Sequence, residues 1–151
     1  MFPKTHIIIN FFISLPLLFI INPVFVLIFF LSSFLIDVDH YLYYIFKKKS
    51  FSLKKAYNWF VIGGIKLRKL SKQERKKHNL GIMIFHGIEQ IIILTLISAI
   101  FLPLFYIALG FFIHLIEDLI EDIPLGITKR KVSLIYSIYY YNKLNKTSNK
   151  K

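Results

Sequence analysis

The sequence predicts an all-α fold: a polytopic membrane helical bundle of about four transmembrane helices with a basic interfacial loop. Three observations predict it. The 151-residue chain is 56% hydrophobic, with 16 Phe and 9 Tyr, which exceeds the roughly 45–50% apolar content of ordinary soluble domains. Its mean hydropathy of +0.58 comes from long apolar runs, and about 20 helical residues are enough to cross a hydrocarbon core. Its 20 Lys and Arg sit in blocks between those runs, where short membrane loops carry them.

From Ile7 to Ile36 the chain is apolar apart from Asn10, Ser14, Asn22, Ser32 and Ser33. That run is too long for one span. Asn22-Pro23 divides it, because Pro disfavours helix in the residue before it yet suits the first turn of a helix that Asn22 can cap. The first span is therefore expected over about 5–21 and the second over about 23–46. Residues 47–77 carry twelve Lys and Arg against one acid, Glu74. Their aromatic residues, Trp59 among them, predict an interfacial loop with a short surface helix. The third span is expected over about 79–100 and the fourth over about 104–123, stopped by Pro124. Residues 1–126 then form the transmembrane domain. Residues 127–151 form a basic cytoplasmic tail, with a Tyr-rich interfacial helix and a disordered end at 145–151.

Lys4, the 47–77 block and seven basic residues at 129–151 account for all twenty cations. Four spans put all three groups on one side, so both termini are expected in the cytoplasm and the chain in the cell (inner) membrane. No small-residue cleavage site follows the first apolar run, so no cleaved signal peptide is expected. The net charge of +12 is split among loops rather than spread over one face, which argues against nucleic acid and for the lipid bilayer and its anionic head groups as partners. The absence of cysteine excludes disulfides, thiolate metal sites and thiol nucleophiles.

The informative residues are those a membrane span resists. A charged side chain at a helix centre costs about 2.5–3.5 kcal/mol on insertion scales and is expected to pair, face a bundle interior or bind something. Asp37, Asp39 and His40 fall in the second span, His86 and Glu89 in the third, and His114, Glu117, Asp118, Glu121 and Asp122 in the fourth. At about 1.5 Å of rise per residue, Asp37 and His86 both fall roughly 14–15 Å from their basic boundaries. His114 and Asp118 reach a comparable level.

Helical spacing pairs His114 with Asp118, His86 with Glu89, and Asp37 with His40 on shared faces, with Asp39 pointing elsewhere as a supporting carboxylate to a histidine. A nitrogen and oxygen set of this kind suits a divalent metal ion, Zn²⁺ first, with Mn²⁺ or Fe²⁺ as alternatives. Glu89 is then the expected general base of a hydrolase acting on phosphate or acyl esters of lipids. Glu117, Glu121 and Asp122 read as a solvated or Lys-paired helix end, and His6, near the terminus, carries no argument. Two other functions fit the same residues: a small cation- or proton-coupled transporter, and a non-enzymatic scaffold with a structural metal site.

Asp37-Val38-Asp39-His40, then His86, then Gly110-x-x-x-His114-x-x-x-Asp118 resemble the pattern of the inner-membrane-associated metal-dependent hydrolases, over most of residues 5–122. The resemblance implies metal binding by Asp37, Asp39 or His40 together with His86, His114 and Asp118. It also implies a distant likeness to helical zinc phospholipases. The chain departs from that family's central Thr-His-Ser stretch, reading Phe85-His86-Gly87-Ile88-Glu89.

Overall fold

Asn22 and Pro23 divide the first apolar run. In the computed structural model, which describes residues 3–78, 81–128 and 132–148, helix α1 (Pro3–Leu17) ends in a turn and α2 (Pro23–Leu35) starts on the Pro. Asn22 Oδ1 accepts from the Val24 N–H at 2.9 Å, satisfying one of the donors a helix start leaves open. α3 (Val38–Lys48) follows after a two-residue interruption, and α4 (Leu53–Lys69) is the surface helix of the basic loop. α5 (Lys72–Lys77) opens with a capping box between Ser71 and Glu74, which occupies the loop's one acid. α6 (Ile88–Ile97), α7 (Pro103–Leu125) and α8 (Leu134–Ser148) complete an all-helical chain without strands among the described residues.

Two stretches are long and apolar enough to cross a membrane, Pro23–Lys48 and Pro103–Leu125. The other two expected spans are shorter. α1 has 15 residues and α6 has 10, against the roughly 20 that match a hydrocarbon core. The third span was expected to begin at Asn79, which lies outside the described residues, but residues 81–87 are not helical. Gly81 takes a positive φ of 84° with the Tyr43 ring packed where a Cβ would stand, and the Phe85 N–H bonds to a side chain instead of a helical carbonyl. In α7, Pro124 lies within the last turn, and Gly126 (φ 68°) terminates the helix. The tail helix continues through residues 145–148, where disorder was expected, and residues 149–151 lie outside the described chain.

α1, and in large part α7, are polar inward and apolar outward. All three residues that α1 buries are polar: His6, Asn10 and Ser14, spaced four apart in one stripe. Phe12 and Ile8 point outward. α7 likewise buries His114, Glu117, Asp118 and Asp122 and exposes Ile116, Ile120 and Ile123. This inverts the usual preference, since Asp, Glu and His are seldom the buried residues of a helix facing water.

α2 and α7 form the closest helix pair, with α1 against α2 and α6 against α7. Gly110 makes the approach possible. A Cβ there would strike Ser32 Oγ and lie 2.8 Å from the Phe29 carbonyl and 2.9 Å from the Ser33 nitrogen, so only a small residue lets the backbones meet. Gly110→Ala should therefore force α2 and α7 apart and destabilise the protein by about 1–3 kcal/mol, read as a lower Tm of the detergent-solubilised chain. An unchanged Tm would count against this packing.

Candidate metal centre

The site starts from a change of helical pitch. At the end of α2 the Asp37 N–H bonds to Phe34, and the Asp39 and His40 N–H groups bond to Ile36 and Asp37. These are i→i−3 contacts that tighten the backbone where an α-helix would have continued, and such mid-helix tightening often marks a functional position. The expected continuous helix over 23–46 is thus broken at Ile36-Asp37. One consequence is that the Ser33 carbonyl, which the Asp37 N–H would have engaged in a regular helix, accepts from Nδ1–H of His114 at 2.7 Å.

That bond assigns the His114 tautomer: Nδ1 carries the proton and Nε2 the lone pair. His86 is assigned in the same way, because its Nδ1 lies 3.0 Å from Asp39 Oδ2. The two Nε2 atoms then face one another at 3.1 Å. A proton on one Nε2 or a cation held by both satisfies this pair. Asp37 Oδ1 lies 3.3 Å from His86 Nε2 and 3.6 Å from His114 Nε2, and Asp118 Oδ2 lies 3.9 Å and 3.8 Å from the same nitrogens.

Ligand atoms around a tetrahedral Zn²⁺ at about 2.0–2.1 Å stand roughly 3.3 Å apart, so Asp37, His86 and His114 fit one small divalent ion, while Asp118 groups with His114 and His6. Asp37 Oδ2 is buried and makes no hydrogen bond among the described residues, as a carboxylate does when its charge is meant for an ion. Buried His and Asp groups of this chain can therefore hold a metal.

Supporting contacts orient the donors. Asp39, which is buried, takes both the Phe85 N–H (2.9 Å) and His86 Nδ1, fixing the non-helical 81–87 segment to α3. His40 Nδ1 sits 2.9 Å from Asp39 Oδ1 and 3.4 Å from Asp37 Oδ1, and its ring meets the edge of His86 at 4.7 Å between centroids. His114 and Asp118 share a face of α7, as their spacing predicts. The structure thus brings Asp37, Asp39, His40, His86, His114 and Asp118 together.

Glu89 is the exception among the expected site residues. It does not share a helix face with His86, because His86 precedes the helix and Glu89 lies in its first turn. Its carboxylate accepts from Ser133 Oγ (2.6 Å) and from the N–H groups of Leu134 (3.0 Å) and Ile135 (3.3 Å). Glu89 is therefore the anchor for the start of α8, since the first N–H groups of a helix attract an acceptor and a negative charge. The carboxylate expected to act as base is committed elsewhere.

Two residues that sequence reasoning passed over belong to the cluster. His6 is fully buried and stacks on His114 at 3.9 Å between ring centroids. Its Nδ1 bonds Glu117 Oε2, so Glu117 is a buried partner rather than a solvated helix end. The signal for His6 was present in its four-residue spacing to Asn10 and Ser14. Glu121 does close the helix end as an ion pair, with Arg68 as its cation.

A cavity of about 580 Å³ opens on this centre. Asp37, His40 and His86 form part of its wall, and α4 contributes Trp59, Phe60 and Lys66. The comparisons with known proteins add no relative: no family model, no curated protein and no solved structure matches the chain.

Two outcomes follow from these contacts. Asp39→Ala removes the acceptor of His86 Nδ1 without removing a proposed ligand, and should weaken metal affinity roughly 10- to 100-fold, measured by competition with a chelating dye. Glu89→Ala should leave metal affinity unchanged while exposing residues 134–148 to protease, and a loss of metal in that variant would return Glu89 to the site.

Proposed function

We propose that this chain is an integral membrane hydrolase dependent on a divalent metal, cleaving phosphoesters of lipid-linked or other amphiphilic substrates at the cytoplasmic face. The observation that carries the reading is the convergence of Asp37, His86 and His114 donor atoms at the wall of a large cavity. Sites of that kind, concave and mostly apolar with a few convergent polar groups, are where ligands bind.

Membrane embedding is supported by the inverted helices. Phe19 and Ile100, at the two apolar turns, are 89% and 92% exposed, which water would penalise and lipid would not. The basic segments lie at the opposite end from those turns, so the cytoplasmic side carries the cavity. The short α1 and α6 read as spans completed by their flanking turns and by local thinning of the bilayer. The non-helical 81–87 segment is acceptable at depth because it is buried in protein and borders the cavity.

Asp37, His86 and His114 are the residues that would hold the ion, with Asp118 beside His114, and the ion would supply Lewis-acid polarisation of the scissile ester. The remaining steps belong to the chain. His40 is the general base: Nδ1 is held by Asp39, which leaves Nε2 to take a proton from the attacking water. The apolar side of α4 receives the hydrocarbon part of the substrate, and Lys66 draws its anionic head group. Asp39 orients both imidazoles at once, so proton removal and ester polarisation share one support.

The chain purified without chelator should carry Zn²⁺ or another divalent ion by elemental analysis, and His114→Ala with Asp118→Ala should lose it. Metal-loaded protein should hydrolyse a phospholipid in mixed micelles, and His40→Ala should retain metal while lowering kcat roughly 10²- to 10⁴-fold. Protein that binds no metal, or a His40→Ala variant with full activity, would sink the proposal or its base.

A further inference from the structure

We infer that Gly63 and Gly64, in the middle of α4, keep the cavity beside the metal centre open to a long hydrocarbon chain and so select amphiphilic substrates by chain length. This rests on reading the centre as a site of phosphoester hydrolysis, and adds to it the residues that admit the lipid part of the substrate.

The six glycines of the chain divide by what requires them. Gly81 and Gly126 take positive φ angles of 84° and 68°, which other residues rarely adopt. At Gly87 a Cβ would lie 2.5 Å from the Glu89 and Gln90 side chains, and at Gly110 one would lie 2.8 Å from the Phe29 carbonyl. Gly63 and Gly64 have neither reason. Their φ angles are not positive, and a Cβ at either position meets nothing within 4 Å. Both lie inside the 17-residue helix α4, where glycine is less stable than alanine because it loses more backbone freedom on folding. Two consecutive glycines that no contact requires point to a role for the space they leave open.

That space belongs to the cavity. Gly63 and Gly64 line it together with Ala56, Phe60 and Leu67. Ala56, Phe60, Gly63 and Leu67 recur at intervals of four, three and four residues and so share one face of α4. Phe60 ties that face to the chemistry, because its ring and that of His40 meet edge to face at 4.9 Å between centroids. Gly63 follows Phe60 by three residues, about 4.5 Å of helical rise, so the room it leaves begins beside the proposed base. Leu125 and Ile127 extend the apolar lining. Such walls offer water few hydrogen-bonding partners, and hydrocarbon is the better occupant. Lys66, three residues beyond Gly63, also lines the cavity and matches an anionic head group.

The volume of about 580 Å³ falls within the roughly 300–1,000 Å³ of sites for small organic ligands. Because a Cβ at position 63 or 64 has open space around it, a leucine there fills the cavity rather than displacing α4. Each methylene that an apolar site gains or loses changes discrimination roughly 10- to 200-fold, so this substitution acts on chain length.

The test uses the full chain in detergent micelles. Its single tryptophan, Trp59, lies on the cavity wall, and bromine quenches its fluorescence on contact. Titration with 11-bromoundecylphosphonate, which is not hydrolysed, should quench saturably, with dodecylphosphonate competing and butylphosphonate not. Gly63→Leu should lose the saturable quenching and lower the ratio of kcat/KM for a hexadecyl over a butyl phosphoester roughly tenfold or more. Gly64→Leu stands in should Gly63→Leu fail to fold by circular dichroism, and Gly63→Ala should raise Tm, whereas a lower Tm would mean that packing requires the glycine and would overturn its role. Quenching of the unmodified protein that only rises linearly with probe overturns the chain site. Saturable quenching and an unchanged ratio in both leucine variants overturn it as well, and leave hydrolysis standing. Loss of quenching in the leucine variants of a protein that hydrolyses neither ester sustains the chain site and overturns the hydrolase reading alone.

Discussion

The hydrogen bond from Nδ1 of His114 to the Ser33 carbonyl is the interaction on which the rest of the site depends. It exists because the backbone tightens at Ile36-Asp37 and withdraws the Asp37 N–H from Ser33. The same tightening turns Asp37 and Asp39 toward the two nitrogens of His86, at 3.3 and 3.0 Å. Gly110, one turn before His114, removes the Cβ that would hold α7 away from Ser33. A small residue, a local change of pitch and a carbonyl left open thus position the imidazole, and none of the three is itself a ligand.

A second constraint is the exchange of inside for outside. On the proposed membrane reading there is no hydrophobic drive for these helices to associate, so close backbone packing and polar contacts such as His6–Glu117 supply the cohesion. The other polar side chains of α1 bond along the helix itself: Asn10 Nδ2 donates to the His6 carbonyl at 2.9 Å and Ser14 Oγ to the Asn10 carbonyl at 2.7 Å. The polar stripe can therefore face the bundle without leaving its donors open, and it ends in the one side chain, His6, that joins the cluster. The ionisable layer and the helix packing are consequently one feature. The residues that could hold ions also hold α1 and α7 together.

Sequence reasoning reached what hydropathy and spacing encode. The helix start at Pro23, the surface helix in the basic loop and the partnership of His114 with Asp118 all follow from local chemistry. It failed where partners distant in the chain override local preference. Residues 81–87 carry an apolar pattern that reads as helix, yet Asp39, 46 residues from Phe85, captures its N–H and holds the segment open. Glu89 sits three residues from His86, a spacing that means proximity only inside a helix, and the helix starts one residue after His86's neighbour Gly87. His6 was passed over for a different reason: its spacing to Asn10 and Ser14 marked a polar stripe but named no partner, and the ones it meets, Glu117 and Asp118, are 111 and 112 positions away.

Removing Glu89 from the centre also changes what chemistry the centre can support. The carboxylates that remain, Asp37, Asp39, Glu117 and Asp118, all face imidazoles, so each is more useful for holding charge than for moving protons. His40 lies on the cavity wall with His86 and differs from the other histidines of the cluster in being partly exposed, with its side chain one quarter accessible. Proton transfer to water needs both access and a supported tautomer. His114 and His6, fully enclosed, lack the access. On the proposed function, the division of labour is therefore set by exposure: the enclosed histidines His86 and His114 are left to bind, and the partly exposed His40 is left to react.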